Sequence, residues 1–251
     1  MSSKARRDSI IEILEKQGYV TVKYLTDTLH YSSATINRDL NALQNQKLIT
    51  RSYGGAELVR TAYVPILFRE HKMRAEKRWI GRAAAEYVQD GDTIFIDCST
   101  TSRCMEQHLI GKKNLTVVTN NIVLAASLST CNITVICLGG TVVEPPSMLC
   151  GPECEENAAR YRVDKMFFST GAVSEDGVIA SGIYHAMLKA VAKRAKEVFY
   201  LVDRKKVEQP FNTVYGDFGD VDCVISDYDF ADETKKMYPK TRFLHVEKSK
   251  E

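Results

Sequence analysis

The chain has 251 residues, of which 44% are hydrophobic and 26% charged, and its net charge is +2. That composition excludes disordered and fibrous classes, and no run approaches the roughly 20 consecutive apolar residues of a membrane span. Met1 to Asp8 is polar and basic with no apolar stretch behind it, which argues against a secretory leader. The seven cysteines (Cys98, Cys104, Cys131, Cys137, Cys150, Cys154 and Cys223) contain no Cys-x-x-Cys pair, and no histidine lies near Cys150 and Cys154. Buried thiols in a reducing compartment are therefore expected, with no metal site and no cofactor, and a cytoplasmic location. Charge is unevenly divided: residues 1–60 carry nine Lys and Arg against six Asp and Glu, leaving the remainder at −1. A small basic end on a neutral body suits a nucleic-acid-binding module fused to something else.

In chain order, Arg6 to Lys16 predicts an amphipathic helix, with Ile10, Ile11, Ile13 and Leu14 on its stripe and Gly18 as its stop. Tyr19, Val20 and Val22 give a short extended piece, and a second helix follows with Val22, Leu25 and Leu29 on one side. Ser32 is a good N-cap for a third helix running to about Lys47, because its hydroxyl can accept from an otherwise unpaired backbone N–H. Ile36, Leu40 and Leu43 share the inner face of that helix. The outer face carries Ala34, Arg38, Asn41 and Asn45, flanked by Thr35 and Asn37.

An apolar stripe backed by short polar side chains and an arginine is what a major-groove recognition helix requires. Arg can contact guanine in two places, Asn can do the same for adenine, and small residues let the helix enter the groove. Leu48 to Arg51 is extended, and Ser52-Tyr53-Gly54-Gly55-Ala56 turns the chain to make a wing. Arg51 is expected beside the DNA backbone. The competing reading is a three-helix bundle whose polar face is merely solvated.

Residues 57–74, with Pro65, lack periodicity and read as a linker. Arg74 to Gln89 predicts an amphipathic helix with Trp79 and Ile80 inward and several basic residues outward. Six short apolar, β-branched strands follow, at 93–96, 115–118, 133–138, 165–168, 198–202 and 221–225, with helical stretches between several of them. They predict a mostly parallel α/β sheet covered on both faces. Ligands on such sheets bind outside the carboxyl ends of the strands. Polar residues collect at those ends: Asp97-Cys98-Ser99-Thr100-Thr101, then Thr119-Asn120-Asn121, Gly139-Gly140-Thr141, Ser169-Thr170-Gly171-Ala172 and Asp203-Arg204-Lys205-Lys206. Hydroxyls and backbone N–H groups before a helix make an anion site, and glycines let backbone approach a ligand. Each ending alone also fits a simple helix cap; five on one edge favour a binding site.

The string Ser32-Ser33-Ala34-Thr35-Ile36-Asn37-Arg38-Asp39-Leu40-Asn41-Ala42-Leu43, followed by Arg51 and Gly54-Gly55-Ala56, resembles the N-terminal signature of the DeoR family of bacterial regulators. Asn37 stands where that family usually has an arginine, and Tyr53 where a histidine is common. The order of the later strand endings resembles the family's effector domain. That domain's Asp-x-Gly-Thr-Thr and Asp-x-Ser-Lys motifs appear here with Cys98-Ser99 in place of x-Gly and Lys205 in place of the serine. His185, ahead of Lys189, lies near the place where a glutamate is frequent.

The resemblance implies a winged helix-turn-helix over residues 1–57, a linker over 58–74 and an α/β domain over 75–251 that is similar in fold to ribose-5-phosphate isomerase. It implies a homo-oligomeric repressor of a carbohydrate-utilisation operon, with operator DNA and a sugar phosphate or related metabolite as partners. The residues implied in DNA binding are Ser33, Ala34, Thr35, Asn37, Arg38, Asn41, Arg51 and Tyr53. Ser99, Thr100 and Thr101 would hold the phosphate, Lys206 would complete the anion site, and Asp97 and Asn120 would contact sugar hydroxyls. Thr119, Gly139, Gly140 and Gly171 would complete the pocket. Two alternatives stand beside this reading. One is a sugar-phosphate isomerase or acyl transferase using Asp97, Asp176 or Asp203, although no residue pattern arranges a base with an orienting partner. The other is a constitutive DNA-binding protein whose second domain only oligomerises. No catalytic residue is expected.

Overall fold

The computed structural model describes residues 3–46, 48–52, 54–58, 73–143, 148–182 and 184–247. They divide between two compact units, Met1–Lys72 and Met73–Glu251. Tyr53 and positions 59–72 of the expected linker lie outside the described residues.

The first unit opens with α1 (Ser3–Gln17), closed by Gly18 in the left-handed region at φ +76° with its N–H on the Leu14 carbonyl. β1 (Tyr19–Thr21) leads into α2 (Val22–Leu29), which Thr21 caps by accepting from the Tyr24 N–H. α3 (Ser33–Asn45) is capped by Ser32, whose hydroxyl accepts from the Thr35 N–H at 3.3 Å. β2 (Ile49–Ser52) and β3 (Gly55–Leu58) complete an antiparallel sheet of order β1-β3-β2. The core is the predicted stripe: Ile10, Ile11, Leu14, Leu25, Ile36, Leu40 and Leu43, joined by Val20, Leu48, Ile49 and Ala56. Gly55 is required here, because a methyl group at that position would collide with the Val20 carbonyl and the Tyr19 hydroxyl. A glycine therefore lets the wing strand lie against β1.

The second unit starts at α4 (Arg74–Glu86) and is built on a seven-stranded sheet. Its strands are β4 (Thr93–Ile96), β5 (Thr116–Thr119), β6 (Thr134–Cys137), β9 (Val163–Phe168), β11 (Ala195–Val202), β13 (Cys223–Ser226) and β14 (Arg242–His245). The order is β14-β13-β11-β9-β4-β5-β6 and every pairing is parallel. Side chains alternate between two cores. Phe95, Phe168 and Tyr200 enter one, with helices α7 (Pro152–Ala158) and α8 (His185–Ala192). Ile94, Ile96, Phe167 and Phe199 enter the other, with α4, α5 (Glu106–Leu109) and α6 (Ile122–Leu128). Continuous apolar strands are what a sheet buried on both faces demands.

From β4 the chain winds outward through β5 to β6, then returns to the other side of β4 as β9 and winds the opposite way. The β4/β9 boundary is thus the switch point, where two loops leave adjacent strands in opposite directions and open a crevice. Two antiparallel pairs and a last short helix lie outside the expected strands: β7 (Thr141–Val143) with β8 (Met148–Cys150), β10 (Val178–Ala180) with β12 (Val214–Asp217), and α9 (Asp232–Met237). Among the described residues no helix is long and apolar enough to cross a membrane.

Candidate functional sites

On α3, the stripe that buries Ile36, Leu40 and Leu43 leaves Ser33, Ala34, Arg38 and Asn41 exposed, with Thr35 and Asn37 half-buried. Arg38 has no side-chain partner among the described residues, so its five donors are available to a ligand. Asp39, next in the chain, is buried and ion-paired with Arg6, while Arg7 lies 3.8 Å away and the Arg6 guanidinium stacks 4.6 Å over Tyr31. That pairing fixes α3 against α1.

Arg51 does more than sit beside a backbone. Its guanidinium donates to the Asn41 Oδ1 at 2.6 Å and to the Asn37 Oδ1, while Asn37 Nδ2 donates to the Ser33 carbonyl at 2.8 Å. The fork of Arg51 therefore stitches β2 to the outer face of α3 and turns both amide groups so that their oxygens are occupied. The Asn41 NH2 remains directed away from that bond as a donor. The charge of Arg51, and its reach toward a phosphate, are shared with this clamp.

In the second unit, the polar endings after β4, β9 and β11 meet at the switch point. Lys206, in the 3₁₀ turn after β11, donates to Thr101 Oγ1 at 2.9 Å and Ser169 Oγ at 2.8 Å, and lies 3.7 Å from the Asp203 carboxylate. This one ammonium joins the loops after β4, β9 and β11. Lys77, in the first turn of α4 and only 3% exposed, donates to Thr100 Oγ1 at 3.0 Å. A buried and a part-buried ammonium group thus address neighbouring threonines at the start of one turn. Lys77 is not among the residues that the sequence pattern marks for the site, yet its spacing from Ile80, Gly81, Ala84 and Val88 is the helical inner-face register. Trp79 is half-buried rather than fully inward.

Both carboxylate oxygens of Asp97 accept hydrogen bonds. The residue is fully buried, Ser99 and Ser102 both donate to its Oδ1, and the Ser169 N–H reaches its Oδ2 at 3.4 Å. Burial pushes its pKa above the usual carboxylate value, and the hydrogen bonds only partly oppose this. Asp97 and Ser99 accordingly shape the loop, leaving Thr100 and Thr101 to present their hydroxyls. The Thr119 hydroxyl is likewise engaged with backbone, donating to the Ile96 carbonyl and accepting from the Asn121 N–H.

Asn120 and Asp203 behave differently. Asn120 is completely buried and donates to the Leu149 carbonyl at 3.1 Å, while its Oδ1 accepts no hydrogen bond among the described residues; the Asp203 Oδ2 accepts none there either, although the Lys206 ammonium lies 3.7 Å from it. Such unfilled acceptors are costly unless something donates to them. Cys98, also fully buried, lies against Asn120 and Tyr184, and burial holds its thiol well above its ordinary pKa, so it is neutral.

Gly140 sits at φ +107°, and a methyl group there would come within 2.6 Å of the Cys150 carbonyl. Gly139, at φ +75°, has an open flank apart from the Asn157 amide. Gly171 is exposed, has an ordinary backbone, and a side chain there would meet no neighbour within 4 Å. Among the described residues no group of three or more His, Cys, Asp and Glu could hold a metal.

A winged helix-turn-helix followed in one chain by a doubly wound α/β unit with a crevice at its switch point is the layout of a ligand-responsive transcription regulator. Residues 6–62 match the sequence model of the DeoR-like helix-turn-helix domain, and residues 72–228 that of the DeoR C terminal sensor domain. The chain belongs to the DeoR family of DNA-binding regulators. Among its relatives are the glycerol-3-phosphate regulon repressor of Escherichia coli K12, 30% identical with 90% of this chain and 92% of the relative covered. Another is the lactose phosphotransferase system repressor of Staphylococcus aureus N315, 30% identical over 95% of this chain and 98% of the relative. Among solved structures, ribose 5-phosphate isomerase A from Methanocaldococcus jannaschii aligns with a TM-score of 0.41 and 18% identity, over 54% of this chain and 55% of that one.

Proposed function

We propose that this protein is a repressor of a carbohydrate-utilisation operon, released from its operator by a phosphorylated sugar or related metabolite. The observation that carries the effector half is the pair Lys77 and Lys206 on Thr100 and Thr101, at the crevice between β4 and β9. Lys77, almost fully buried, and Lys206, part-buried beside Asp203, converge on two adjacent threonines, and ammonium groups so placed can make charge-assisted bonds to a doubly charged anion. The Asn120 Oδ1 and Asp203 Oδ2, which accept no hydrogen bond among the described residues, suit the hydroxyl donors of a polyol attached to that anion. Asp97 and Ser99 act as the scaffold of the phosphate loop. Relatives named for repression of glycerol-3-phosphate and lactose systems support the same class of effector.

For the DNA half, Arg38 and Asn41 are the base-reading side chains, Ser33, Ala34 and Thr35 admit the helix to the groove, and Arg51 with Asn37 braces it. Tyr53 is assigned to the wing on its sequence position. The protein acts in the cytoplasm as a homo-oligomer, since paired half-sites multiply the specificity of a small reading head. It works by binding without catalysis: an isomerase needs a carboxylate poised over substrate carbon, and Asp97 has one oxygen held by two serines and is fully buried.

The test uses an operator selected from a random-sequence library. Arg38→Ala weakens that complex by about 1–3 kcal/mol, the worth of a bidentate base contact. Thr100→Leu leaves operator affinity in place and removes the response to phosphorylated sugars. Undiminished operator affinity in Arg38→Ala refutes the assignment of the reading helix.

A further inference from the structure

The opposite edge of the seven-stranded sheet carries a second concentration of charge. An open cleft of about 650 Å³ lies at the amino ends of the strands, lined by Thr93, Arg162, Asp164, Lys193, Arg194 and Lys196. The topology brings these residues together. Arg162 precedes β9, Lys193 and Arg194 form the turn between α8 and β11, and β9 and β11 are parallel neighbours with Val163 opposite Ala195. Four cations therefore face one carboxylate. That carboxylate, Asp164, is bound to Lys196 at 2.7 Å. Arg162, Lys193 and Arg194 are exposed and form no ion pair among the described residues.

Helix polarity explains part of this. Lys193 caps α8 and Arg194 follows it, and cations are favoured where the last carbonyls of a helix point. It does not explain Arg162, which comes from another element and converges on the same cleft. Nor is the cleft shaped for a protein partner. Val163 is buried, Ala195 half-buried, and no exposed aromatic or aliphatic side chain lines the cleft. Protein interfaces usually have a fully buried apolar core. Unpaired cations without apolar lining match a phosphodiester backbone, whose affinity comes from charge neutralisation and counterion release.

We infer that this cleft is a second, sequence-independent DNA contact, in which Arg162, Lys193 and Arg194 meet backbone phosphates. The inference rests on the reading of the chain as a DNA-binding regulator. It adds a contact on the sensor unit itself, at the sheet edge opposite the candidate effector site, so DNA affinity depends on more than the winged helix.

The experiment compares the full-length protein with the triple variant Arg162→Gln/Lys193→Gln/Arg194→Gln, by fluorescence anisotropy on a labelled mixed-sequence duplex. Salt is varied between about 50 and 200 mM, where the slope of log K against log salt is about −0.9 per phosphate neutralised. The expected result is a slope shallower by up to about 2.7 in the variant, with an unchanged melting temperature, because all three positions are exposed. An unchanged slope and affinity in the variant, with wild-type binding intact, overturns this inference alone. Failure of the wild-type protein to bind duplex at all refutes the underlying DNA-binding reading instead. A variant that keeps its slope but changes its sedimentation behaviour assigns the cleft to self-association and also overturns the proposal.

Discussion

Replacing Lys206 with alanine removes the ammonium that joins Thr101, Ser169 and Asp203. If this group also holds the effector's phosphate, the variant loses one hydrogen bond to a charged partner, worth about 1.5–3 kcal/mol, or roughly a 13- to 160-fold weaker dissociation constant. Ligand at about a hundred times the wild-type constant stabilises the native protein by about 2.7 kcal/mol. At the same concentration the variant gains only about 0.3–1.3 kcal/mol. For a protein of this size each kcal/mol moves the melting temperature by about 2–4 °C. The wild-type shift of about 5–11 °C therefore falls to about 1–5 °C in Lys206→Ala. Thermal denaturation with a panel including glycerol 3-phosphate and a hexose 6-phosphate reads this directly. Each variant is compared with its own ligand-free melting curve, so any intrinsic loss of stability cancels. An effector that shifts Lys206→Ala as far as wild type refutes the anion site as built here.

Three further outcomes follow from the packing. Asp39→Ala leaves the Arg6 guanidinium without its buried partner and destabilises the winged helix by about 2–4 kcal/mol, read from the urea midpoint of the first unit's transition. A midpoint within error of wild type would show that this pair is not what holds α3 to α1. Gly140→Ala forces a side chain into φ +107° against the Cys150 carbonyl and costs about 1–3 kcal/mol, whereas the exposed Gly171→Ala costs less than about 0.5 kcal/mol; equal effects would contradict the distinction. Asp97 binds its proton more tightly in the folded than in the unfolded protein. Its contribution to stability is full below the unfolded value near 3.8 and is lost as pH rises through its folded pKa. Asp97→Asn should therefore gain on wild type in urea midpoint as pH is raised from 4 toward 7, and a pH-independent difference would contradict the raised pKa.

The parts of the fold that the sequence revealed are those whose pattern has one physical solution. Ile36, Leu40 and Leu43 can share a face only on a helix, and Phe167-Phe168 or Phe199-Tyr200 can both be buried only in a strand with a core on each side. The short antiparallel pairs and β14 were not legible, because three- or four-residue strands at the margins bury too little to leave a period; β14 reads exposed, half-buried, half-buried, exposed. The switch-point crevice was legible as a set of polar strand endings, since parallel strands place all of those endings on one edge. Which side chains remain available there was not legible. Ser99 and Ser102 hold one oxygen of Asp97, and the Thr119 hydroxyl bonds to the Ile96 carbonyl and the Asn121 N–H, contacts with no local signature. Lys77 was hidden by its charge although its helical register pointed inward. The clamp of Arg51 on Asn37 and Asn41 depends on how β2 lies over α3, a tertiary fact with no local signature.

The most direct test of the account is to assemble the full-length protein on its selected operator and titrate phosphorylated sugars and their unphosphorylated parents into the complex. Release by one phosphorylated compound and not by its parent is the expected result. Operator DNA must then weaken binding of that compound by the same factor, as linkage requires. A complex unmoved across the panel, or released equally well by the unphosphorylated parent, would contradict a sensor built on Lys77 and Lys206.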